Sequence, residues 1–110
     1  MDASGLTFSK KTNIDSHYQM FYGCTSLAKA PKTLPANFVY TSAYENMFYG
    51  CTSLIDAPDI LASSIGTRGC NFMFKDCTSL VTAPELPATT LNNYSYGSMF
   101  YGCTSLKNAP

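Results

Sequence analysis

Met47-Phe48-Tyr49-Gly50-Cys51-Thr52-Ser53-Leu54 occurs twice more without change, at residues 20–27 and 99–106. A fourth copy at residues 73–80 carries Lys75 and Asp76 where the others have Tyr and Gly. The copies start at Met20, Met47, Met73 and Met99, a period of 26 residues after a first spacing of 27. Self-similarity at that period marks a stack of small units, each too small to bury its apolar side chains alone. The chain divides accordingly into an N-terminal cap or partial repeat at residues 1–19 and about four repeats over 20–110, the last incomplete.

Within one unit, Tyr44, Met47, Phe48 and Cys51 fall at i, i+3, i+4 and i+7. His17, Met20, Phe21 and Cys24 keep the same spacing, as do Cys70, Met73, Phe74 and Cys77, and Tyr96, Met99, Phe100 and Cys103. That is the spacing of one helical face, and it predicts a helix of two to three turns ending at Gly23, Gly50, Asp76 and Gly102. Glycine there suits a left-handed C-terminal cap, and Asp is a tolerable second choice. The following Cys-Thr-Ser-Leu-x-x-Ala-Pro reads as a short parallel strand closed by Pro31, Pro58, Pro84 and Pro110. The returning stretch is expected to form turns or a one-turn helix that carries Leu34 and Val39, Ile60 and Ile65, and Leu86 and Leu91 to the core. The first unit is one residue longer, with Lys32-Thr33 replacing the single Asp59 or Glu85. Leu6-Thr7-Phe8 reads as a first strand, and Ile14 to Gln19 as a shortened lead-in to the first helix.

The form Met-Phe-x-Gly-Cys-Thr-Ser-Leu followed by Ala-Pro-x-Leu-Pro-Ala-Thr-Thr-Leu, seen most fully at residues 83–91, resembles the leucine-rich repeats of the BspA type found in bacterial surface proteins. The resemblance covers residues 17–110. It implies an α/β repeat: a leucine-rich-repeat-like solenoid with short parallel strands on one face and short helices on the other. It also implies adhesion or recognition at a cell surface or in the extracellular space, and similar arrays occur in phage-associated proteins. Cys70 in place of the ladder Tyr, and Lys75-Asp76 in place of Tyr-Gly, depart from the pattern.

Composition excludes several function classes. Seven basic and seven acidic residues cancel, so the chain lacks the basic field that holds phosphates, and nucleic acid is not an expected partner. No run approaches twenty apolar residues, so membrane insertion is not expected. The start, Met-Asp-Ala-Ser-Gly, has neither the basic nor the apolar region of a signal peptide. The last repeat breaks off at Pro110 without a polar cap, which reads as a truncated array or as a bare end that packs against something.

Chemistry is sparse. Cys24, Cys51, Cys77 and Cys103 recur with the repeat and form one column, which cannot build a tetrahedral zinc site and reads as a ladder of buried thiols. Cys70 stands in the Tyr column, either as core or as a thiol that is reactive or paired with Cys77. His17, the only histidine, takes the place that Tyr44 and Tyr96 fill elsewhere, which suits packing better than catalysis. Asp56, Asp59, Asp76 and Glu85 do not repeat in register as a calcium ladder would. Asn93-Tyr94-Ser95 is a formal glycosylation sequon. No enzyme, cofactor or metal is expected.

Two columns remain as candidate ligand-binding surfaces. Tyr22, Tyr49, Lys75 and Tyr101 lie between the buried Phe and the capping Gly and should point partly outward. Stacked rings with hydroxyls suit protein or sugar recognition, or else simply cover the layer beneath. Lys29, Asp56, Thr82 and Asn108 vary on an otherwise constant frame, as a recognition face would, or as drift at solvated positions would. The expected function is a non-enzymatic interaction module binding a protein or glycan. The alternative is a structural element assembling into an end-to-end homo-oligomer through an uncapped repeat.

Overall fold

The computed structural model describes residues 2–6, 17–84, 86, 88–91 and 94–107. Successive repeats lie over one another in parallel register. Five two-residue strands carry part of that register: β1 (Thr33–Leu34), β2 (Phe38–Val39), β3 (Asp59–Ile60), β4 (Ser64–Ile65) and β5 (Thr90–Leu91). β1 pairs with β3, and β2, β4 and β5 form a second sheet in that order. Each pairing joins equivalent residues of adjacent repeats, Thr33 with Asp59 and Ile65 with Leu91 for example. A third, thinner ladder of single parallel bridges runs from Asp2 to Lys29, Asp56 and Thr82.

The expected helices are absent. Among the described residues no segment is helical, so the α/β architecture with a helical face is overturned. In place of the helix, each repeat runs a chain of consecutive tight turns. Ala43, Glu45, Met47, Tyr49 and Cys51 each donate their amide to the carbonyl three residues back, at 3.1–3.2 Å. The intervening residues Ser42, Tyr44, Asn46, Phe48 and Gly50 donate instead to Thr67, Gly69, Asn71, Met73 and Lys75 of the next repeat, at 2.8–3.1 Å. The carbonyls of Ala43, Glu45, Met47 and Tyr49 in turn accept from His17, Gln19, Phe21 and Gly23 of the previous one. Every backbone amide of this stretch is thereby paired, half of them locally and half along the stack, as a buried backbone requires.

The turns impose a signature on φ. Ser42, Asn46 and Gly50 have φ of 56°, 57° and 75°, and Arg68, Phe72 and Asp76 have 56°, 54° and 60°. A left-handed residue at every fourth position is what alternating turns with and without a positive third-residue φ produce.

Spacing along the stack accounts for the choice. A helix with its side chains is about 10 Å wide, whereas adjacent parallel strands lie about 4.8 Å apart. The turn ladder advances at nearly the strand spacing, so all sides of the coil stay in step. The rings of Phe21, Phe48, Phe74 and Phe100 show it directly, stacking at 5.2, 5.4 and 5.7 Å with planes within 7° of parallel.

The apolar columns fill the interior. Leu27, Leu54 and Leu80, Met47 and Met73, Phe48 and Phe74, and Cys51 and Cys77 are fully buried. Leu34, Val39, Ile60 and Ile65 reach the core as expected. Leu91 does not and is exposed, while Leu86 packs against the core from its edge. The expected strand after each Cys is reduced to the single bridges at Lys29, Asp56 and Thr82, and the paired strands lie in the returning stretch that was read as turns. Pro31, Pro58 and Pro84 are buried just past those bridges. Of the N-terminal elements, Thr7, Phe8 and Ile14 lie outside the described residues, and His17 opens the first turn ladder.

Candidate functional site

The turn ladder presents one side chain of each repeat in a column just outside the buried Phe stack. Tyr22 and Tyr49 stack at 4.9 Å with planes 27° apart. The Lys75 ammonium follows, 5.0 Å from the centroid of Tyr49, 5.4 Å from that of Tyr101 and 5.2 Å from that of Phe72. The four expected residues Tyr22, Tyr49, Lys75 and Tyr101 are therefore brought together. Lys75 sits among three rings where the other repeats have a tyrosine, and the cation substitutes for ring stacking by cation–π attraction. A hydrogen bond with the Tyr49 side chain holds its ammonium charged and moves its pKa above the ordinary lysine value. Tyr22 is 50% and Tyr101 67% exposed and Tyr49 is half-buried, so the column is open chiefly at Tyr22 and Tyr101.

Phe72 extends this surface sideways. It touches Lys75 on one side and lines, on the other, a notch of about 320 Å³ shared with Glu45, Arg68, Asn71, Tyr94 and Gly97. Sequence reading missed the notch. Its residues vary between repeats, and Phe72, Arg68 and Tyr94 occupy left-handed positions that bulky residues seldom take. The available signal was the four-residue spacing of turn-tolerant residues in the neighbouring copies, Ser42, Asn46 and Gly50.

The second candidate column is also assembled in part. Lys29, Asp56 and Thr82 are bridged in register, preceded by Asp2, and all are exposed. Asn108 lies outside the described residues. Lys29 and Asp56 line a shallow groove of about 410 Å³ together with Ser4, Lys32 and Asp59. The alternation of Asp2, Lys29 and Asp56 places opposite charges next to one another along the stack, a cross-strand arrangement that stabilises a ladder by itself.

The thiols and the histidine lie elsewhere, packed among their neighbours. The Cys51, Cys77 and Cys103 thiols each donate to the Phe carbonyl of the preceding repeat, Phe21, Phe48 and Phe74, at 3.1, 3.0 and 3.0 Å. All five cysteines are free, so Cys70 and Cys77 are not paired. Burial pushes Cys51 and Cys70 up to about 12 and raises Cys77 and Cys103 as well. Thiols held protonated this way are poor nucleophiles. His17 packs edge-on against Tyr44 at 5.6 Å, and burial lowers its pKa. Among the described residues, no three of His, Cys, Asp and Glu meet in a way that could hold a metal ion. Asn93 of the formal sequon lies outside the described residues.

No family model, curated protein or solved structure matches this chain.

Proposed function

We propose that the chain is a non-enzymatic interaction module that presents its turn-ladder face to a protein or glycan. The observation that carries this reading is the open aromatic column of Tyr22, Tyr49 and Tyr101, with Lys75 seated in it and Phe72 beside it. The backbone under the column is hydrogen-bonded to the repeats above and below it. Binding to such a surface orders little that is not already ordered, which lowers the cost of association. Aromatic rings with a polar tip are the side chains that dominate recognition surfaces of this kind. The resemblance to BspA-type repeats supports a setting at a bacterial or phage-related surface. Protonated thiols and a histidine engaged in packing support a role without catalysis.

The test is binding to a panel of immobilised glycans and purified surface proteins, using the native chain and a Tyr22→Ser/Tyr101→Ser variant. Both tyrosines are at least half exposed, so the variant should stay folded and lose only the Tyr22–Tyr49 stack and the Lys75–Tyr101 contact. The expected result is a selective ligand whose affinity falls at least tenfold in the variant. Unchanged affinity would remove the column from the account.

One observation favours a second reading, assembly. The cross-repeat hydrogen bonds of the turn ladder all point the same way. Among the described residues, the amides of Tyr96, Ser98, Phe100 and Gly102 have no acceptor above them, and the carbonyls of Tyr18, Met20 and Tyr22 have no donor below. A donor face at one end and an acceptor face at the other are complementary, and one more repeat or a second copy would complete either. Light scattering across a range of concentrations separates the readings. A constant monomer mass supports the binding module, and a mass that grows with concentration supports assembly.

A further inference from the structure

The notch beside Phe72 has a floor and two walls built from different repeats. Glu45, Asn71 and Gly97 occupy equivalent positions and form the floor, Arg68 and Tyr94 one wall, and Phe72 and Ser98 the other. Asn71 is 7% exposed, and its Nδ2 donates to Glu45 Oε2 at 2.8 Å. That bond fixes the Glu45 carboxylate and leaves it free lone pairs. The Asn71 Oδ1 lies where a Cβ at residue 97 would stand, so glycine at 97 is what lets the Asn71 amide lie in the floor. The Arg68 guanidinium lies 5.9 Å from the centroid of the Tyr94 ring, which restrains it along that wall.

We propose that this notch binds one pyranose ring of a neutral glycan. The inference rests on the reading of the turn-ladder face as a recognition surface and gives that surface a ligand class. One carboxylate and one guanidinium cancel, so a phosphate meets Glu45 and an ammonium meets Arg68, each at a cost. Adjacent sugar hydroxyls are donors and acceptors at once and can satisfy Glu45 and Arg68 together, with Ser98 as a further polar partner. The C–H face of a pyranose is apolar and matches the Phe72 and Tyr94 rings. A small number of placed polar groups among aromatic walls is the usual composition of a small-molecule site. The volume, about 320 Å³, is at the lower end of the usual range of roughly 300–1,000 Å³ and suits one ring. Phe72 joins the notch to the tyrosine column, so a longer glycan could continue across Tyr49 and Tyr101.

The experiment is a titration of the labelled chain with the methyl glycosides of glucose, galactose, mannose and N-acetylglucosamine, read on backbone amides. Saturable shifts at Asn71, Phe72, Gly97 and Ser98 are expected for at least one of them, at millimolar affinity. Arg68→Gly, which keeps the left-handed backbone and removes the guanidinium, should weaken that binding at least tenfold without lowering the melting temperature. Gly97→Ala, whose Cβ displaces the Asn71 amide from the floor, should abolish it, and Arg68→Gly keeps the test informative if that variant fails to fold. Shifts confined to Tyr22, Tyr49 and Tyr101 would overturn the notch and leave the interaction module standing. The absence of saturable shifts with every glycoside would overturn the notch as well, and protein ligands would then be the test of the module.

Discussion

Replacing Phe48 with alanine is expected to destabilise the fold by about 3–5 kcal/mol, the range for deleting a buried ring from a packed core. Phe48 is completely buried and stacks on both sides, at 5.2 Å on Phe21 and 5.4 Å on Phe74, with planes 7° and 1° from parallel. Stacked aromatic pairs contribute about 0.5–1.5 kcal/mol beyond their buried area, and the variant loses two of them. Since the whole stability of a domain is about 5–15 kcal/mol, the variant should unfold at a much lower urea concentration than the native chain. Among the described residues Phe100 stacks on one neighbour only, and it is half-buried, so Phe100→Ala should cost much less. Urea unfolding followed by tyrosine fluorescence checks both. Equal losses at the two positions would mean that the ring column is not the spine of the stack.

The second large effect is a loss of stability at alkaline pH. Cys51 and Cys70 are buried thiols held at about 12, against an ordinary value of 9.0, chiefly because burial disfavours the thiolate. Above pH 9 the unfolded chain gives up these protons and the folded chain keeps them. The unfolded state then binds fewer protons, so stability falls as pH rises. The stabilisation is complete below pH 9 and is lost progressively up to about 12. Each thiol contributes a slope of about 1.4 kcal/mol per pH unit over that window. Burial also raises Cys77, Tyr44 and Tyr96, which steepens the decline at its upper end. Melting temperatures should be flat from pH 7 to 9 and drop steeply above it, and Cys51→Ala should flatten part of that drop. A melting temperature unchanged up to pH 11 would mean that the thiols are already accessible in the folded chain.

Much of the interior was legible in the sequence because columns of identical residues superimpose in any stack, whatever the backbone does between them. The Phe and Cys columns, the tyrosine column with Lys75 in it, and the left-handed backbone at Gly23, Gly50, Asp76 and Gly102 all occupy their expected places. The helix was misread for a definable reason. Turns that repeat every four residues put Tyr44, Met47, Phe48 and Cys51 on one side just as a helix of 3.6 residues per turn does. Over seven residues the two periods differ by less than one position. What separates them is the demand for positive φ at every fourth residue, which Ser42, Asn46 and Gly50 advertise and Arg68, Phe72 and Tyr94 conceal. The paired strands were misplaced because two-residue strands such as Thr33–Leu34 are too short to show an alternating pattern. The notch was invisible because its floor depends on one missing side chain, at Gly97, set against Asn71 one repeat away.

The repeated octapeptide builds a turn ladder, half of whose hydrogen bonds run between repeats. Scalar couplings across hydrogen bonds, measured by NMR, test it directly. Couplings are expected from the amides of Tyr44, Asn46 and Phe48 to the carbonyls of Gly69, Asn71 and Met73, and from Met47 to the carbonyl of Tyr44. Couplings from Met47, Phe48 and Cys51 to the carbonyls four residues before them, with helical carbon shifts, would contradict it and restore a helical face.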